Sequence, residues 1–154
     1  MDIQRLRHVA LMVRSLDRML PFYRDTLGFT VKKDVKIGGA EFQAGTGLAG
    51  AAARCVHLSI SGSPVELELF EFDPPHNEIE PTIPGINDKG FRHIAFVVKN
   101  MKQAVAKLKT AGIIFHTEPV RFSSPEHSKG VCFVYLRDPE GNIIELNEIP
   151  EGAS

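Results

Sequence analysis

Four residues able to hold a metal ion stand at repeating places in this chain of 154 residues. His8 is second in RHVALMV (7–13) and His93 is second in RHIAFVV (92–98), while Glu68 lies in VELELFEF (65–72) and Glu145 in NIIELNEI (142–149). Two neutral imidazoles and two carboxylates suit a divalent ion of intermediate hardness, such as Mn, Fe, Co, Ni or Zn, better than a thiolate-selecting site does. Four protein ligands on an octahedral ion leave two places for water or substrate. A substrate with oxygens on adjacent carbons could chelate there. The ion would stabilise the enediolate formed when a proton leaves the carbon beside the carbonyl, and one glutamate could serve as the base. A lone half-buried histidine or a strand glutamate is ordinarily no ligand, but four of them at repeated positions make a hypothesis that structural context can test.

Glu66 competes with Glu68, because both lie on one strand face two residues apart. Glu68 is preferred because it alone is followed by the leucine that also follows Glu145. Glu71 points to the other face and is expected to be solvated. His57, His76, His116 and His127 have no histidine at a repeated position; His57 is expected to be a packed strand residue and the rest to lie at strand ends or on loops.

The elements that must carry these residues repeat as well. Residues 6–13 are short, apolar and bounded by charge, which reads as a strand. In SLDRMLPFYRDTLGF (15–29), Leu16, Met19, Leu20, Tyr23 and Leu27 recur at helical spacing, with Ser15 to cap the helix and Gly28 to close it. Pro21 is expected to sit in the first turns or to bend that helix. Residues 29–35 then read as a second strand. The second copy follows the same plan, with a strand at 91–98, Asn100 as cap, a helix at 101–111, Gly112 as stop and a strand at 113–116. Strands at 54–60 and 65–72 complete the first half, and strands at 130–136 and 142–149 complete the second. The organisation is therefore two βαβββ modules, residues 1–72 and 91–150, joined by a linker at 73–90 rich in Pro, Asn and Asp. On the opening strands His8, Ala10 and Met12 share a face, as do His93, Ala95 and Val97. If the modules pair their sheets about a pseudo-twofold axis, the two imidazoles and two carboxylates can converge.

Residues 38–53 look irregular and long enough for a lid or mobile loop. Within them GTGLAG (45–50) matches the glycine pattern of dinucleotide-binding turns. Too few residues separate it from the strand CVHLSI for the helix such a turn must open, so it is read as loop glycine. FSSPEHSKG (122–130) gathers Ser123, Ser124, His127 and Lys129, which could touch a polar substrate tail or simply face solvent.

Composition sets the outer limits. Charged residues are 24% and hydrophobic ones 43%, with 10 Phe and no Trp, as in ordinary folded proteins. A formal charge of −1 offers no basic field, so neither nucleic acid nor an acidic membrane surface is an expected partner. The opening MDIQRLRHVALMV carries an early acid and only a five-residue apolar run, too short for a signal peptide core or a membrane span, and a cytoplasmic location is expected. Cys55 and Cys132, far apart in apolar segments, are expected to be buried thiols rather than a disulfide.

These segments resemble the vicinal oxygen chelate superfamily, which includes glyoxalase I, methylmalonyl-CoA epimerase, extradiol dioxygenases, and fosfomycin and bleomycin resistance proteins. RHVALMVRSLDRMLPFYRDTLGF is similar to the family's opening, LELFEF to the close of its first module, GFRHIAFVV to the second opening and LRDPEGNIIEL to its final hairpin. The resemblance implies an α+β fold in which two βαβββ modules pair into an open, cupped mixed sheet around a metal held by His8, Glu68, His93 and Glu145. It also implies that Glu145 is the base. Met12 stands where bacterial glyoxalase I usually has an arginine that contacts glutathione, which counts against a glutathione adduct as substrate. The epimerase usually has glutamine where Glu68 stands, and the dioxygenases use only two histidines and one glutamate.

The leading expectation is a metal-dependent lyase or isomerase of the glyoxalase type, acting on a small molecule with vicinal oxygens. The alternatives are an epimerase like that for methylmalonyl-CoA, an iron-dependent ring-cleaving dioxygenase, or a binding and resistance protein without turnover. An apolar cup rimmed by exposed strands makes a homodimer the expected assembly, with the modules pairing within one chain or exchanged between two.

Overall fold

The opening histidine of each half begins a strand, and a helix returns the chain to one face of the sheet. The computed structural model describes residues 2–73, 85–124 and 128–151. His76, His127 and most of the stretch read as linker lie outside the described residues. The contacts divide the chain into two units, Met1–Glu80 and Pro81–Ser154.

In the first unit, strand β1 (His8–Met12) leads to helix α1 (Leu16–Pro21), then β2 (Thr30–Ile37), helix α2 (Ala40–Thr46), β3 (Ala53–Ser59) and β4 (Glu66–Phe72). The four strands form one mixed sheet in the order β1-β4-β3-β2. β1 runs parallel to β4, and the other pairs are antiparallel. Leu16 and Met19 are fully buried, as are Val56, Leu58 and Leu69 on the strands, so helix and sheet share one apolar layer. Each such side chain contributes about 1.5–3 kcal/mol by leaving water.

Ser15 caps α1 as expected, with its side chain accepting from the Arg18 amide. Pro21 is the sixth and last residue of α1, within the first two turns. With no N–H to give and a ring that crowds the preceding carbonyl, it ends the regular ladder, and the chain continues as a π-turn over Phe22–Thr26. The Leu27 amide there donates to the Phe22 carbonyl at 3.0 Å. Gly28, at φ 85°, stops the helix as expected.

The second unit repeats this plan with β5 (His93–Val97), α3 (Met101–Thr110), β6 (Val120–Arg121), β7 (Cys132–Arg137) and β8 (Ile143–Glu148). Its sheet order is β5-β8-β7-β6, again with the first pair parallel. The likeness reaches single hydrogen bonds. Ser15 and Asn100 cap their helices at φ −147°, and the amides of Val13 and Val98 donate to Phe70 and Asn147 at 2.7 Å.

Three local expectations are corrected. Glu71 faces away from the site, but it is not simply solvated: its Oε2 accepts the Leu16 amide at 2.7 Å at the start of α1. Glu148 does the same for Met101 of α3 at 2.6 Å. A carboxylate at that place satisfies an orphan helix donor and meets the positive end of the helix dipole. The irregular stretch 38–53 contains α2, anchored where Phe42 stacks on Phe72 at 5.9 Å. The strand expected at 113–116 is reduced to a bridge between Phe115 and Leu136, and the edge strand comes later as the two-residue β6. Pro119 just before β6 has no N–H for a ladder, and Ile114 is 84% exposed.

Both cysteines are buried free thiols. Among the described residues no helix is long and apolar enough to cross a membrane.

Candidate metal centre

Each half brings its histidine and glutamate together by the same device. In the parallel pair β1/β4, Ala10 lies opposite Glu68, and in β5/β8, Ala95 lies opposite Glu145. The residue facing each carboxylate is thus only a methyl group. The histidine two positions earlier on the same face can lean across it along the diagonal. His8 Nδ1 lies 3.1 Å from Glu68 Oε1, and His93 Nε2 lies 3.0 Å from Glu145 Oε2.

The burial differs within each pair. The Glu68 side chain is 6% exposed against 36% for His8, and Glu145 is 14% against 38% for His93. The carboxylates form the floor and the imidazoles the rim. Glu66, the rejected competitor, is 35% exposed and is bonded to His57 at 3.1 Å. That bond, more than any other influence, holds the Glu66 carboxyl below its usual range.

The donor atoms fit a divalent ion. His8 Nδ1 is closed to solvent and makes no hydrogen bond, although Glu68 Oε1 is 3.1 Å away. A buried, unpaired ring nitrogen beside a buried carboxylate is costly unless a third group satisfies both. Two donor atoms at right angles on an ion about 2.1 Å from each are about 3.0 Å apart, which matches both His–Glu separations.

Cys55 offers a rival donor, since Cys55, His57 and Glu68 have ligand atoms within 4.8 Å of one another. Metal binding needs the thiolate. Burial, reinforced by the charges of Glu68 and Asp34, pushes the Cys55 thiol up to about 12. Among the described residues the His–Glu contact has a counterpart in the second half, where Phe133 and Tyr135 stand at the places of Cys55 and His57.

Two further side chains reach the carboxylates, and both were missed in the sequence. His57 faces Glu68 across the β3/β4 pair, with Nδ1 3.1 Å from Glu68 Oε1 and 3.1 Å from Glu66 Oε2. Tyr135 faces Glu145 across β7/β8. Burial first, then the Glu145 charge and the hydrogen bond to Glu145, hold its phenol above the usual range. Its ring also meets the His93 ring edge-on at 5.5 Å. The signal was a short frame rather than a residue type: Val56-His57-Leu58 recurs as Val134-Tyr135-Leu136.

Beyond the ligands the face turns apolar. In the first unit Met12, 53% exposed, is paired in register with Phe70. In the second, Tyr135 leads to Phe133 at 5.8 Å and on to Phe122, stacked at 4.9 Å.

This arrangement has relatives. Residues 5–146 match the Glyoxalase/Bleomycin resistance protein/Dioxygenase superfamily. The chain is 30% identical over 149 residues to the uncharacterised protein YwkD of Bacillus subtilis, a match covering 96% of this chain and 99% of that one. It is 27% identical over 151 residues to an ethylmalonyl-CoA/methylmalonyl-CoA epimerase of Cereibacter sphaeroides, covering 96% and 99% of the two. A glyoxalase family protein from Bacillus cereus shares the fold at TM-score 0.83 and 21% identity, over 96% of this chain and 95% of that one. With that match running from the first His–Glu pair into the second, the chain belongs to the Glyoxalase/Bleomycin resistance protein/Dioxygenase superfamily, the vicinal oxygen chelate proteins.

Proposed function

We propose that His8, Glu68, His93 and Glu145 hold one divalent ion of the Ni, Zn, Co, Mn or Fe kind, and that the protein moves a proton on the carbon beside a carbonyl. The substrate is a small molecule with oxygens on adjacent carbons for an isomerisation or lyase step, or, for the alternative epimerisation, one whose two carbonyls flank the exchanging carbon. One observation carries this reading: the same His–Glu contact at 3.0–3.1 Å occurs at the same register in both halves. The 27% identity to an epimerase over nearly all of both chains supports the same reaction class.

Held by these residues, a divalent ion would supply positive charge to stabilise the negative charge that develops on the substrate's carbonyl oxygen. The protein's own groups do the rest. Glu145, the more open of the two carboxylates, takes and returns the proton, while Glu68, almost fully buried, stays a fixed ligand. Met12 and Val97 are exposed apolar side chains that a bound substrate would cover. Whether the two pairs meet within one chain or across a homodimer, the count is one ion per chain.

The test is solvent exchange. Metal-loaded protein in D2O is given methylmalonyl-CoA or the thiol adduct of a 2-ketoaldehyde, and loss of the α-proton is followed by NMR. Exchange is expected for one of them, slowed about a hundredfold or more by Glu145→Gln. Exchange that survives both that substitution and removal of the metal would contradict the assignment. Oxygen uptake by ferrous protein with a catechol would point to ring cleavage instead.

A further inference from the structure

We infer that His57 and Tyr135 are equivalent positioning residues, one in each half, that orient Glu68 and Glu145 toward the metal from the strand behind them. The inference rests on the ligand assignment proposed above and adds two residues to it.

The geometry is the same in both halves although the residue types differ. His57 is the register partner of Glu68, and Tyr135 is the register partner of Glu145. Each therefore flanks its carboxylate on the side away from the ligand histidine's strand, since β4 lies between β1 and β3 and β8 lies between β5 and β7. A carboxylate with a histidine on one side and a polar partner on the other cannot rotate freely. At Glu68 the nearest nitrogens of His8 and His57 both lie 3.1 Å from Oε1, so that oxygen is fixed between the rim imidazole and the strand behind it, as expected of a metal ligand's outer support.

The two supports are not chemically alike. Tyr135 faces Glu145 in register and meets the His93 ring edge-on at 5.5 Å, so it lies against the carboxylate and the imidazole of one pair at once. His57 is 13% exposed and is itself held by Glu66 through its Nδ1 at 3.1 Å, so Glu68 sits in a chain of three polar groups. Glu66 thus takes a role behind the ligand rather than as a rival to it. Glu68 is thus flanked by two imidazoles and Glu145 by an imidazole and a phenol.

The experiment titrates Co2+ into metal-free protein and reads both affinity and the visible absorption of the bound ion. Tyr135→Phe keeps the ring against His93 and removes only the hydroxyl. It is expected to weaken Co2+ binding about tenfold or more and to shift the absorption bands, with thermal unfolding of the metal-free protein unchanged. His57→Leu should weaken binding similarly, and His57→Gln, which keeps a donor, should recover most of the loss. If the unsubstituted protein binds Co2+ and Tyr135→Phe binds it within twofold with the same spectrum, the positioning role is overturned while the ligand assignment stands. If the unsubstituted protein takes up no Co2+, both are overturned.

Discussion

Removing the Glu71 carboxylate tests how the helix is fixed to the strand that carries Glu68. In Glu71→Ala, the Leu16 amide at the start of α1 loses its 2.7 Å acceptor, and the neighbouring Leu16 side chain is fully buried, so water is poorly placed to replace it. A hydrogen bond to a charged group contributes about 1.5–3 kcal/mol. The interaction of a carboxylate with a helix N-terminus adds about 0.3–1 kcal/mol. Together the loss is about 2–4 kcal/mol, which at about 2–4 °C per kcal/mol for a chain of this size is a fall of about 4–16 °C in Tm. Glu71→Gln keeps an acceptor oxygen and should lose no more than about 1 kcal/mol of this. Thermal unfolding of the metal-free protein by circular dichroism reads both. A Glu71→Ala protein as stable as the unsubstituted one, or a Glu71→Gln protein damaged equally, would refute the capping argument.

Three other outcomes are expected. Ala10 is exposed and faces Glu68, so Ala10→Leu should leave Tm within about 2 °C while weakening Co2+ binding more than tenfold by filling the diagonal between His8 and Glu68. Native protein should react very slowly with a thiol reagent and release both cysteines only on unfolding, because Cys55 is fully buried with its thiol pushed up and Cys132 is 6% exposed. The carboxyls of Asp34, Glu148 and Glu66 are held low, chiefly by Arg54, Arg121 and His57 respectively. Their folded values lie below the unfolded ones, so this stabilisation is present above the ordinary carboxylate range and is lost as pH falls through the folded values. The urea midpoint should therefore decline below about pH 4.

What could be read in the sequence depended on whether the repeat used the same residue types. His8 and His93 are identical residues in near-identical strands, and Glu68 and Glu145 share a following leucine, so their matching faces could be derived from alternation alone. His57 and Tyr135 hold the same place, but one is an imidazole and the other a phenol, so neither looked repeated. Alternation also put Glu71 on the far face correctly. It could not say that a helix N-terminus would lie there, because a two-residue period carries no information about what covers a face. Helix α2 was hidden for a related reason: seven residues among glycines have too little propensity to announce a helix, and the Phe42–Phe72 contact supplies what the local sequence lacks.

The central claim is that one ion is shared by a pair from each half, and metal content per chain tests it most directly. Unsubstituted protein purified without a metal-affinity step, His8→Ala and His93→Ala would be compared by inductively coupled plasma mass spectrometry. Close to one Ni, Zn, Co, Mn or Fe per chain is expected for the first and a large loss for each variant, since each keeps three of the four ligands but only one of the two nitrogen donors. Full metal content retained in either variant, or no uptake by the unsubstituted protein on titration, would contradict the claim.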